Sequence, residues 1–139
     1  MSLQAVLLPL FVQVILTFVI FFLMAMTRSS ALSRGLDWRT IANREPNWPG
    51  RGVQYGNAFA NQFELPILFY VLTLLAWLAK EADLLFVVLA WMFVLSRLAH
   101  AYVHVTSNHV PTRGALFGAG ALVLMLMWII FIVRVLLSL

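Results

Sequence analysis

The stretch NQFELPILFY, Asn61–Tyr70, sets a carboxylate, Glu64, at the head of an apolar run that continues to Ala79. A charge near the centre of a membrane helix costs about 2.5–3.5 kcal/mol on insertion scales, so Glu64 needs a partner or a purpose. The surrounding chain is apolar: 63% of its 139 residues are hydrophobic and 10% are charged, with a mean hydropathy of +0.97. A soluble domain carries about 25% charged residues, so the composition reads as one membrane domain, residues 1–139. The net charge of +4 reports topology rather than affinity for nucleic acid, because the arginines flank apolar segments. Cysteine is absent, which excludes disulfides, thiolate metal sites and a cysteine nucleophile.

Four transmembrane helices are expected, at about 5–26, 57–79, 82–105 and 114–136. Each reaches the roughly 20 residues that cross about 30 Å of hydrocarbon. MSLQ at the start lacks the basic flank of a signal peptide, so the first span is expected to be retained. The connection after it holds Arg28, Arg34, Arg39, Arg44 and Arg51 against Asp37 and Glu45. AKEAD, Ala79–Asp83, offers Lys80, and TSNHVPTRG, Thr106–Gly114, adds Arg113. The positive-inside rule then places the first and third connections in the cytoplasm and both termini outside. REPNWPGRG, Arg44–Gly52, breaks helix with two prolines and two glycines.

The polar residues of the middle spans share faces. Asn57, Asn61 and Glu64 fall at i, i+4 and i+7, and Arg97, His100 and His104 at i, i+3 and i+7. Folding the two spans back about Lys80–Glu81 sets Asn57 opposite His104, Asn61 opposite His100 and Glu64 opposite Arg97. At 1.5 Å per residue, Glu64 and Arg97 then lie about 12 Å inside the cytoplasmic ends of their helices. Arg97 is the expected counter-ion of Glu64. Such a pair can be purely structural, a lock on helix register. Six polar groups exceed what one lock needs, and together they read as a polar cleft open to the cytoplasm. His100, His104 and His109 make a poor metal set, because His109 lies in a loop and no third ligand is fixed. Gly114-x-x-x-Gly118, with Gly120 beyond, reads either as a close-packing stripe or as chance glycines.

These motifs resemble the MAPEG family, the membrane-associated proteins of eicosanoid and glutathione metabolism, in a bacterial-type member. The resemblance lies in Asn61-x-x-Glu64 before LPILFY, in Arg97-x-x-His100 followed by His104, and in Pro111-x-Arg113. It covers all four helices in order and implies an all-α four-helix subunit that assembles as a homotrimer. Glutathione, as co-substrate, would lie between neighbouring subunits near the cytoplasmic face. Asn61, Glu64, Arg97, His100 and His104 would belong to its site, Arg28 would help to hold its carboxylates, and Arg113 would stabilise its thiolate. The chain departs from the pattern at Ala60 and Asn57, where glutathione-using members carry arginines, and at His104, where a tyrosine is common. The implied function is a transferase or peroxidase that uses glutathione on a lipophilic electrophile or lipid hydroperoxide. The alternative is a non-catalytic protein of the same fold that binds lipid or serves as a subunit of a larger assembly. A transporter is disfavoured, because the polar residues occupy one half of the membrane. The absence of a targeting segment and the arginine loop fit a bacterial inner membrane.

Overall fold

The computed structural model describes residues 1–43 and 47–138. Arg44, Glu45 and Pro46, counted above in the first connection, lie outside the described residues. The helices are α1 (Leu3–Ser33), α2 (Gly52–Asn61), α3 (Leu65–Leu78), α4 (Leu84–Val105) and α5 (Val110–Leu137), with a 3₁₀ turn at Trp38–Ile41. Among the described residues they form four apolar spans long enough to cross a bilayer, α2 and α3 together making the second. The chain is an all-α integral membrane protein.

The second span differs from the expected continuous helix: it breaks at Gln62–Glu64. Pro66 supplies the reason. It has no N–H for the Gln62 carbonyl and its ring crowds the preceding turn, so the chain restarts as α3 with Pro66 in the first turn, where a missing donor costs nothing. Tight bonds bridge the gap, from Gln62 N to Phe59 O at 3.0 Å and from Phe63 N to Ala60 O at 3.0 Å.

α1 continues about two turns beyond Met26 and carries Arg28 within it. It stops where Gly35 adopts φ 97°. Gly35 N then donates to Leu32 O and Leu36 N to Ala31 O, a Schellman closure. The same closure ends α3, with Lys80 N on Trp77 O and Glu81 N on Ala76 O. Here Lys80 takes the left-handed position, at φ 61°.

α4 is the most enclosed span and packs against α1, α2 and α5. Away from the break, Phe69 of α3 meets Phe93 of α4 at a ring separation of 4.9 Å. Leu72, Ala76, Phe86 and Ala90 fill the same core with Val6 of α1 and Leu124 of α5. On the other side of the break a second cluster joins Ile20, Ala58 and Ala101, where the small side chains of Ala58 and Ala101 let α2 and α4 approach closely. Gly120 serves α5 likewise: a Cβ there would come within 2.6 Å of Ser96 Oγ on α4. A Cβ on Gly114 or Gly118 would meet nothing within 4 Å among the described residues.

The turn end of the bundle is pinned by Arg134, whose Nη1 donates to Asp83 Oδ2 at 2.8 Å and lies 3.8 Å from Glu81. Burial alone would raise the Asp83 carboxyl. The Phe86 N–H and the Arg134 guanidinium outweigh it and hold the group below the ordinary carboxylate range. A depressed carboxyl adds stability above its unfolded pKa and loses it as pH falls through the folded value. The pair is half exposed, so its contribution is about 0.2–1 kcal/mol. Melting in detergent is therefore expected to fall slightly below about pH 4, and Asp83→Asn to remove that acid-side step. An unchanged acid profile in the variant would show that Asp83 does not carry it.

Candidate functional site

Three elements converge at the other end of the bundle. α2 is moored to the end of α4 through carbonyls that the helix terminus leaves without partners. Gln54 Nε2 donates to His104 O at 2.7 Å, and Arg51 Nη1 donates to Val105 O at 3.1 Å. This docking brings Asn57 and Asn61 into one cleft with His100 and His104. The register differs from the expected one, since Gln54 meets His104 and Asn61 meets Arg97. α5 completes the third wall. It begins at Val110, with His109 as its cap and Pro111 in the first turn. Arg113, expected in a loop before a span opening at Gly114, therefore stands on the first turn of a helix.

Between these walls lies a cleft of about 410 Å³, lined by Asn57, Ala60, Asn61, Glu64, His100, His104, Val110, Arg113, Gly114 and Phe117. The sequence-derived residues Asn61, Glu64, His100, His104 and Arg113 thus meet in one place. His100 and His104 are 3% and 6% exposed, their rings edge to face at 5.7 Å. The Nδ1 atom of each is buried without a hydrogen-bond partner. Arg113 Nη1 donates to Asn108 Oδ1 at 2.6 Å. Asn108 itself sits at φ 52°, a conformation asparagine tolerates better than most residues. The positive end of α5 adds to the charge of Arg113.

Two sequence-derived residues stand elsewhere. Arg97 does not line the cleft: it is 0% exposed and lies behind Asn61. The direct Glu64–Arg97 ion pair is absent, and among the described residues the ion pairs are those of Arg134. Asn61 relays the contact instead. Arg97 Nη2 donates to Asn61 Oδ1, and Asn61 Nδ2 donates to Glu64 Oε2 at 3.0 Å. The helix break is the cause. Between the Phe69–Phe93 contact and the Asn61–Arg97 contact, eight residues pass on the second span against four on α4, so the break uses chain without advancing along the bundle. Glu64 is left exposed at the head of α3. Nε and Nη1 of Arg97 have no partner. Arg28 lies on the far side of α2, in a chamber of about 760 Å³ with Trp48, Gly56 and Asn57. Its guanidinium carbon stands 4.8 Å above the Trp48 ring.

With that geometry in view, the family comparison is decisive. The family model described as the MAPEG family matches residues 6–133. The chain belongs to the MAPEG family. No curated protein and no solved structure matched it. The matched residues run from α1 to the last turns of α5, so all four spans of this MAPEG protein are covered. Gln13, Gln62, Asn108 and Phe117 escaped the sequence reading. Asn108 carried a signal, an asparagine just before a proline-opened helix. Gln13 and Gln62 stood out only as polar residues within apolar surroundings.

Proposed function

We propose that this MAPEG protein is a membrane enzyme that binds glutathione in the α2–α4–α5 cleft and activates its thiol. The thiolate then attacks a lipophilic electrophile and joins the whole tripeptide to it through a new C–S bond, or attacks a lipid hydroperoxide, which is reduced to the alcohol and water as two glutathiones are oxidised to the disulfide. The observation that carries the reading is Arg113, held by Asn108 at the wall of a cleft that Asn57, Asn61, His100 and His104 also line. A guanidinium beside a thiol favours the thiolate and lowers its pKa, which makes a nucleophile without any protein cysteine. The carboxamides of Asn57 and Asn61 offer peptide hydrogen bonds, and Phe117 and Val110 offer an apolar wall to the second substrate.

A homotrimer is part of the proposal. Glu64 and Phe63 are exposed in the single chain, and Gly114 and Gly118 face open space, which suits closure of the cleft by a neighbouring subunit. Arg28 would serve a glutathione carboxylate across such an interface. Isothermal titration of glutathione into the detergent-solubilised protein, carried to millimolar concentration, tests the reading. Silence there would leave the second reading, a lipid-binding or assembly protein. That reading is supported by Ala60 and Asn57 in the cleft, where further cations would have suited an anionic tripeptide.

The proposed setting is a bacterial inner membrane, with Met1 and Leu139 outside and Arg39 inside. A Ser2→Cys variant is expected to react with an impermeant maleimide from the outer face, in a chain without native cysteine. Labelling from the cytoplasmic face alone would reverse the arrangement.

A further inference from the structure

Behind the cleft, two glutamines meet inside the apolar bundle. Gln13 of α1 and Gln62 of the helix break are 0% and 1% exposed. Gln13 Nε2 donates to Gln62 Oε1 at 2.9 Å. Gln62 Nε2 donates in turn to Ala58 O at 3.1 Å. That second bond has a specific role. In a continuous helix Ala58 O would accept the backbone N–H of Gln62, but at the break this N–H has turned to Phe59 O. The side-chain amide of Gln62 takes over the bond its own backbone has released. In an apolar medium an orphaned carbonyl is not tolerated cheaply, so the break depends on the Gln62 side chain, and Gln13 fixes where that side chain points. Neither glutamine lines the cleft, yet their neighbours do: Asn61 precedes Gln62 and Glu64 follows it by two residues.

We infer that the Gln13–Gln62 hydrogen bond is the positioning device of the cleft, a clamp from α1 that holds the break so that Asn61 and Glu64 present their side chains to the ligand. Thr17 Oγ1 donates to Gln13 O at 3.1 Å and completes a polar strip along this part of α1. Hydrophobic packing alone would tolerate sliding of α1 past the break, because leucine-like surfaces carry no register. A buried amide pair does not, since displacement leaves Gln13 Nε2 without an acceptor and Gln62 Oε1 without a donor.

The inference rests on the reading of the cleft as a thiol-binding site, and its test separates the two. Gln13→Leu is expected to lower thermal stability, to weaken glutathione binding about tenfold, as loss of one positioned hydrogen bond allows, and to speed amide exchange at Gln62–Glu64. In Gln13→Leu/Gln62→Leu the pair becomes apolar on both sides, but Ala58 O loses its side-chain donor as well, so stability is expected not to recover. Glutathione affinity and the protection of those amides are expected to stay low. Recovery of affinity together with stability would make the pair merely structural and overturn the inference. If wild-type protein binds no glutathione, the proposed function falls. The exchange measurement still decides the clamp: unchanged protection of Gln62–Glu64 in Gln13→Leu would refute it.

Discussion

On the proposed function, an Arg113→Ala variant is expected to lose the thiolate absorbance that glutathione would acquire on binding, with the helical bundle intact. Free thiol with a pKa near 8.5 is about 3% ionised at pH 7. An adjacent cation lowers such a pKa by about 1–3 units, enough to make the thiolate a major species in the cleft. Among the described residues, Arg113 is the one arginine on the cleft wall. It stands on the first turn of α5, half-buried, and its recorded bond is to Asn108. Removal therefore takes the charge away without opening the core between α4 and α5, which Gly120, Leu124 and Met127 form deeper in the bundle. Ultraviolet difference spectroscopy in the thiolate band reads the outcome. A thiolate signal that survives in Arg113→Ala would move the stabilising charge elsewhere, with Arg28 of a neighbouring subunit the first candidate.

The four spans and their order were legible because hydropathy over roughly 20 residues is a strong signal in any sequence. The polar face of α4 was legible too: Arg97, His100 and His104 are all buried along one side of a regular helix, and helical spacing alone dictates that. The second span resisted for a physical reason. The i, i+4, i+7 spacing of its polar residues runs on to Glu64 as if the helix were continuous, while Pro66 interrupts the hydrogen bonds beneath it. Spacing counted across the break assigns Glu64 to the face of Asn57 and Asn61, and pairs it with Arg97. Pro111 marked the start of α5 in the same way, since a proline in the first turn is a start signal, and it brought Arg113 onto a helix. Which side chain interposes between two charges is a matter of reach and packing. No spacing rule could have placed Asn61 between Arg97 and Glu64.

That interposition reverses the expected ranking of two substitutions. With a direct Glu64–Arg97 pair, Glu64→Gln would be the damaging change. In the structure Glu64 is exposed and touches Arg97 only through Asn61, so Glu64→Gln is expected to cost less than about 1 kcal/mol, the range of exposed pairs. Asn61→Leu is different. It strips the hydrogen-bonded partner from a guanidinium with no exposed surface. Losing a hydrogen bond to a buried charged group costs about 1.5–3 kcal/mol. Arg97→Met/Asn61→Leu removes the stranded charge as well, and is expected to recover most of that loss, leaving a coupling energy of about 0.5–3 kcal/mol between the two positions. Thermal unfolding of the four proteins in one detergent gives the comparison. Two results would count against the relay: additive losses at Asn61 and Arg97, or a loss in Glu64→Gln as large as that in Asn61→Leu. The second would mean that assembly brings the Glu64 carboxylate onto Arg97 directly, and that the polar face first read from spacing closes only between subunits.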